Sequence, residues 1–206
     1  MTRLTQAERR QQTRGELIAT AHAVFLERGF HGASLDEIAE RAGYSKGAVY
    51  SNFAGKDELF LAVLDAQFER RARMLANVLL DEERLEDSYR AVARSMTAAD
   101  EGEPGWTPLL LEFWAHASRQ PALRAAVSER RERFFTIIAG LIEELGRRHG
   151  IEFAIPTKEI ARGSNALARG IALDRLLDPA TVSTSLFEEM HTAYALGLTR
   201  FPEAGR

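Results

Sequence analysis

Ser34-Leu35-Asp36-Glu37-Ile38-Ala39-Glu40-Arg41-Ala42-Gly43-Tyr44-Ser45-Lys46-Gly47-Ala48-Val49-Tyr50-Ser51-Asn52-Phe53 spells two short helices joined at a glycine corner. Ser34 is placed to cap the first helix, and Glu37, three residues on, is placed to complete a capping box. Leu35, Ile38, Ala39 and Ala42 then recur at i, i+3, i+4 and i+7, one apolar stripe on a 3.6-residue period. Gly43 follows the stripe where a helix commonly stops in a left-handed conformation, and Ser45 can cap the next helix at once. Only a tight corner fits between those signals. In the second helix Val49 and Phe53 lie four apart and point inward, which leaves Lys46, Gly47, Tyr50 and Ser51 outward.

That outer face is small, polar and singly cationic. A short helix reads base edges in the major groove of DNA only if bulky apolar groups do not block its approach. Gly47 lets the backbone come close. Lys46 can reach phosphate or guanine, the Tyr50 hydroxyl can bond a phosphate oxygen, Ser51 can bond a base, and Asn52 can take either role.

Ser-Leu-Asp-Glu-Ile-Ala, Ala-Gly-Tyr-Ser-Lys-Gly, Val-Tyr-Ser-Asn-Phe and Lys-Asp-Glu-Leu-Phe stand here in the order seen in tetracycline-repressor (TetR) family regulators, and residues 10 to 65 resemble that family's DNA-binding domain. The rest of the chain resembles it in length and helical character alone. The resemblance implies a ligand-responsive dimer, phosphate contacts from Ser34, Tyr50 and Lys56, and base-side contacts from Lys46, Gly47 and Ser51. Gly55 departs from the side-chain cap the family often carries there, and glycine caps tolerably.

Composition bounds the alternatives. A chain of 206 residues, 45% hydrophobic, can bury a sizeable core, and without cysteine it has neither a disulfide scaffold nor a thiolate metal site. No apolar run reaches membrane-spanning length and the N-terminus lacks a secretory signal, so a cytoplasmic protein without a membrane partner is expected. The net charge of −3 is unusual for a protein held to DNA mainly by counterion release. Basic residues do gather at the start, as Arg3, Arg9, Arg10 and Arg14, an arm able to lie along phosphates.

Weak binding per monomer makes dimerisation useful, because two linked contacts gain from effective concentration and match a palindromic operator. Helices are predicted over Thr157 to Leu177 and about Thr181 to Arg200, split by Asp178-Pro179. Leu167, Gly170 and Ile171 on the first, and Leu186, Phe187, Met190 and Tyr194 on the second, form the expected interface of a four-helix bundle between two copies.

The middle of the chain should sense something. Lys56 to about Leu80 reads as a connecting helix carrying Phe60, Val63, Leu64, Phe68, Leu75 and Val78. After the acidic break Asp81-Glu82-Glu83 comes a helix through Tyr89, Val92 and Met96. The loop Asp100-Glu101-Gly102-Glu103-Pro104-Gly105 reads as too rich in Gly, Pro and acid to be ordered by itself, and such a loop can gate a pocket. An aromatic-rich stretch at Trp106 to Arg119 and a long helix from Ala122 to His149 follow. Tyr89, Met96, Phe113, Trp114, His116 and Phe135 are the candidate lining of a pocket for an apolar or amphipathic small molecule.

The expected fold is all-α with about nine helices, a three-helix helix-turn-helix head at 1–55 and a helical ligand-binding and dimerisation body at 56–206. The expected function is a dimeric, ligand-responsive transcriptional regulator, a repressor by default, with double-stranded DNA and a small molecule as partners and no cofactor or metal. An enzyme is the competing class. Its only metal-like constellation is Glu188-x-x-His191, and di-iron bundles need two such pairs, whereas Glu112 and His116 are four apart. No nucleophile elbow accompanies Ser, His and Asp. A helical protein-binding module shares the helices but leaves the bare face of Lys46, Gly47 and Ser51 unexplained.

Overall fold

Capping chemistry sets where the first helices begin. In the computed structural model, which describes residues 5–79 and 84–201, Thr5 and Glu8 close a reciprocal capping box at the start of α1 (Gln6–Gly32). Ser34 caps α2 (Leu35–Arg41), its Oγ accepting from the Glu37 N–H at 3.1 Å. The expected return bond from the Glu37 carboxylate is replaced by ion pairs with Arg28 and Arg41, at 3.3 and 3.7 Å, so this box is half formed. Ser45 caps α3 (Lys46–Asn52). Gly43, at φ +73°, ends α2 in the left-handed region. The Tyr44 N–H reaches the Ala39 carbonyl and the Gly43 N–H that of Glu40, the paired bonds that satisfy a helix's last acceptors.

The remaining helices are α4 (Lys56–Leu79), α5 (Leu85–Gly102), α6 (Trp106–Ser118), α7 (Pro121–His149), α8 (Thr157–Leu177) and α9 (Leu186–Leu198). Two-residue strands β1 (Glu152–Phe153) and β2 (Thr199–Arg200) pair antiparallel, Glu152 opposite Arg200 and Phe153 opposite Thr199. The fold is all-α with nine helices among the described residues, as expected. Arg3 and the break Asp81-Glu82-Glu83 lie outside the described residues. The last helix starts five residues later than predicted, because Asp178 first closes a turn by accepting from the Thr181 N–H and hydroxyl.

Chain contacts divide the protein into two compact units, and the division is not at residue 55. Unit 1 is Met1–Gln67 with Pro108–Ser128, and unit 2 is Phe68–Thr107 with Glu129–Arg206. The core of unit 1 is aromatic. Phe30 meets Phe25, Phe60 and Phe113 at centroid distances of 5.0–5.9 Å, and Phe60 stacks on Phe113 at 4.0 Å. A carboxylate fixes one corner of it. Glu112 on α6 accepts from the N–H groups of Phe30 and His31, at 2.9 and 2.8 Å, where α1 breaks at Gly29 with φ +72° and ψ 171°.

Unit 2 packs α5 and α8 against α9. Leu75, Tyr89, Val92, Leu145, Ile171 and Phe187 are among its buried residues. The stretch 100–105 is not the unsupported loop the composition suggests. Asp100, Glu101 and Gly102 complete α5, and the acids there meet arginines: Arg71–Asp100 at 3.4 Å, Arg175–Glu101 at 3.1 Å and Arg70–Glu103 at 2.7 Å. No helix among the described residues is long and apolar enough to cross a membrane.

Candidate nucleic-acid interface and inner cavity

Unit 1 presents α3 with its backbone already satisfied. Val49 and Phe53 are buried beneath it, while Ser45, Lys46, Gly47, Tyr50 and Ser51 are exposed, Tyr50 by 58%. Its C-terminal carbonyls are held by α1, since Arg14 donates to the Asn52 carbonyl at 2.7 Å and lies 4.2 Å over the Phe53 ring, and Arg10 reaches the Ser51 carbonyl at 3.3 Å. Arginines expected along phosphates thus include two that steady the presented helix. Lys46 is exposed but ion-paired with Asp36 on α2. The Asn52 amide donates to the Ala48 carbonyl, and the Ser51 hydroxyl does the same.

Lys56, expected at a phosphate, is engaged within unit 1. Its ammonium donates to the carbonyls of His31 and Ala33, at 3.2 and 3.0 Å, and sits 4.8 Å from the centre of the Phe30 ring. There it neutralises the acceptor end of α1. Ser34 is exposed and acts as the cap.

Unit 2 contains a cavity of about 70 Å³ between α4, α5, α7, α8 and α9. Leu75, Leu79, Val92, Met96, Ile138, Leu141 and Leu145 make most of its wall, with polar groups from Arg71, Tyr89, Ser164, Asn165, His191 and Tyr194. At ~10–15 Å³ of such space per water it has room for several waters, far below the ~300–1,000 Å³ of a drug-sized ligand site. A larger guest must part the helices.

Of the predicted lining, Tyr89 and Met96 are there. Phe113, Trp114 and His116 are not; they lie on the part of α6 that belongs to unit 1, where Phe113 fills the aromatic core and His116 bonds Asp57 at 3.1 Å and Gln120 at 2.8 Å. Phe135 is buried beside the cavity, between the guanidiniums of Arg131 and Arg162, and its neighbour Phe134 faces the space instead. Aromatic residues at helical spacing mark a core without saying which one.

His191 was readable only as half of a Glu-x-x-His pair. Glu188 pairs with Arg94 at 3.3 Å, and no group of three or more metal-ligating side chains exists among the described residues. His191 is 5% exposed and packs on Phe187, and its Nδ1 has no protein hydrogen-bond partner among the described residues. Burial pushes its pKa down to about 4, with slight opposition from the Tyr89 backbone. The unfolded chain therefore binds this proton first. Stability from the neutral imidazole is complete above pH 6.5 and declines as pH falls toward 4. Between pH 7 and 4.5 the wild type should lose roughly 2–3 kcal/mol more than His191→Gln in urea unfolding, and equal losses would show that the ring is not held neutral.

Residues 17–63 match the model of bacterial regulatory proteins of the tetR family, and residues 85–200, more than half the chain, match the C-terminal model of BetI-type transcriptional repressors. The chain belongs to the TetR family of transcriptional regulators. Over 55 residues, 27% of this chain and 25% of the relative, it is 53% identical to the HTH-type transcriptional activator FasR of Mycolicibacterium smegmatis. Over 136 residues, 64% of each chain, it is 32% identical to the HTH-type transcriptional regulator CymR of Pseudomonas putida. The chain thus spans from a quarter to somewhat under two thirds of these relatives' length. A solved TetR-family regulator from Mesorhizobium loti shares the fold, with a TM-score of 0.73 at 24% identity over 92% of this chain and 96% of that one.

In this TetR-family chain the predicted interface residues divide into two sets. Ile171 and Phe187 are buried in unit 2's own core, Leu167 and Leu186 pack against it, and Tyr194 bonds the Ile160 carbonyl and faces the cavity. Gly170 and Met190 are exposed. With them stand Ala166 and Leu177 on α8 and Ala193 and Gly197 on α9, a second, smaller-grained apolar face. Amphipathic reading finds the larger stripe on each helix, and that stripe is used internally. Sequence reasoning missed Arg71 and Asn165. Asn165 had a signal, since it stands on the stripe of Ala161 and Ala168 and is 7% exposed.

Proposed function

We propose that the protein is a repressor that binds a two-fold-symmetric DNA operator as a homodimer in the cytoplasm and leaves it when a small molecule enters the unit 2 cavity. The outer face of α3 is the observation that carries this reading. A seven-residue helix capped by Ser45 and steadied by Arg10 and Arg14 exposes a glycine, a lysine, a serine and a tyrosine with no bulky aliphatic group among them. Lys46, Gly47 and Ser51 face base edges, Tyr50 and Ser34 face phosphate, and Asn52 steadies the helix they stand on. The small apolar face of α8 and α9 supports a second copy as partner. A dimer sets the spacing of its two recognition helices to the roughly 34 Å between successive major grooves.

The cavity supports the release step because it is narrow. A guest large enough to be specific must displace α4 or α7 at Leu75, Ile138 or Leu141, and α4 continues without a break into the residues of unit 1. Coupling by that route is reciprocal, so DNA weakens the guest's binding by the factor by which the guest weakens DNA's.

Titration with DNA flanking the protein's own coding region should reveal a protected, two-fold-symmetric site, and no protection on any such fragment would defeat the reading. On that site Tyr50→Phe should weaken binding about tenfold, and on every sequence alike, since a phosphate bond carries no base information. Full affinity in the variant would remove the hydroxyl from the contact. An interaction module that binds only proteins would show neither effect.

A further inference from the structure

His191 and Asn165 both line the unit 2 cavity, and both are more than nine-tenths buried. They stand at the same level of one helix pair. Tyr194 on α9 bonds the Ile160 carbonyl on α8, and farther along Ile171 and Phe187 share the core, so the two helices run antiparallel. Asn165 lies between Ile160 and Ile171, His191 between Phe187 and Tyr194, which sets the two residues within about one turn of each other.

Neither side chain is fully matched inside the protein. His191 Nδ1 has no hydrogen-bond partner, and the Asn165 amide makes no hydrogen bond, among the described residues. A neutral imidazole carries one N–H and one lone pair. The bond that the ring shares with the Tyr89 backbone favours the protonated form, so the ring donates there and the partnerless Nδ1 keeps the lone pair. A buried acceptor left unmatched is costly, and a guest that donates to it removes that cost.

Charge at the wall is already matched. Among the described lining residues Arg71 alone is charged, and it pairs with Asp100 at 3.4 Å. His191 is neutral at physiological pH, and burial pushes the hydroxyls of Tyr89 and Tyr194 up, so they keep their protons. An anionic head would compete with Asp100 for one guanidinium, and a cationic head would meet no carboxylate in the wall. The rest of the wall is largely apolar, with Val92, Ile138 and Leu141 among its side chains.

We propose that the effector is a neutral apolar molecule with one hydroxyl, an alcohol or a phenol, whose O–H donates to His191 Nδ1 while its oxygen accepts from the Asn165 amide. The proposal rests on the cavity being the effector site. A hydroxyl donates and accepts at once, which suits a lone pair on α9 and an N–H on α8. A carbonyl guest matches Asn165 alone. The hydrocarbon part of the guest lies against Val92, Ile138 and Leu141.

Calorimetric titration of the full chain with 2-octanol, 4-butylphenol, 2-octanone and octanoate tests this. 2-Octanol and 2-octanone share a skeleton and differ in the donor, so the alcohol should bind about tenfold more tightly than the ketone and more tightly than octanoate. The tighter of 2-octanol and 4-butylphenol identifies the class of hydroxyl. His191→Leu should bring 2-octanol to the level of 2-octanone and leave the ketone unchanged, and His191→Gln, which keeps an acceptor, should recover part of the difference. Asn165→Leu should weaken alcohol and ketone alike. The assignment is overturned if the ketone or octanoate binds as tightly as the tighter hydroxyl probe, or if His191→Leu weakens every probe alike or leaves the difference in place. Should His191→Leu fail to fold, the wild-type comparison of alcohol with ketone decides. Ile138→Trp, which fills the cavity, separates the two levels. If it blocks probes that bind without preference for a hydroxyl, the cavity remains the effector site and only the hydroxyl assignment falls. If no probe binds the wild type, or if Ile138→Trp changes nothing, the cavity is not the effector site and both fall.

Discussion

Gly29→Ala is expected to lower stability by roughly 3 kcal/mol, about 6–10 °C in Tm for a chain of this size, as measured by thermal and urea unfolding. Two causes add. At φ +72° and ψ 171° the backbone lies in a region open essentially to glycine alone, which costs an alanine about 1–3 kcal/mol. The new Cβ would also stand 2.7 Å from Glu112 Oε2. That oxygen cannot simply swing away, because the carboxylate is held by the N–H groups of Phe30 and His31. A double-mutant cycle separates the causes. In a Glu112→Ala background the clash is gone, so the alanine at position 29 should cost about 1 kcal/mol less than in the wild type, and strict additivity would show that Glu112 does not occupy this corner. Ser34, the cap of α2, lies five residues after Gly29. The clamp therefore fixes the point where α1 hands the chain to the helix-turn-helix.

Met190→Arg is expected to yield a monomer by sedimentation and to weaken operator binding by about 10²–10⁴-fold, the gain that linking two half-site contacts supplies. Met190 is 48% exposed on α9, so a charge there should leave the fold of one chain intact, with an unchanged Tm extrapolated to low concentration. Gly170 and Ala166 on the neighbouring helix leave room for close approach of a second copy, and an unpaired guanidinium in such a contact loses its hydration without recompense. A dimer that survives the substitution places the contact elsewhere. Leu186→Arg is the poorer test, because Leu186 packs against unit 2's own core and its loss would unfold the chain that was to be weighed.

What could be read from the sequence was what is determined within a few residues. The corner from Ser34 to Phe53 was legible because each signal acts within one turn: a serine bonding an N–H three residues on, a glycine stopping a helix, two apolar residues four apart. The helices α7 and α8 were legible to within a residue for the same reason. The cavity was not, since Tyr89, Asn165 and His191 meet only after five helices have packed. Phe113 and His116 carry the same local pattern as a pocket wall, yet the surroundings of α6 in unit 1 decide what they touch. Asp100 and Glu101 looked like loop residues because the arginines that steady them stand 29 and 74 positions away. The half-formed capping box at Glu37 is the reverse case, a local bond displaced by ion pairs to Arg28 and Arg41.

The ion pair between Lys46 and Asp36 bears on how the protein finds its site. To touch a base edge, the lysine must first leave a carboxylate that already holds it, so a stretch of DNA without the right base offers an exchange with little net gain. If the protein binds DNA as proposed, its residence on such DNA is expected to be brief. Where the neighbouring groups of α3 also find their bases, the exchange becomes worthwhile and the search stops.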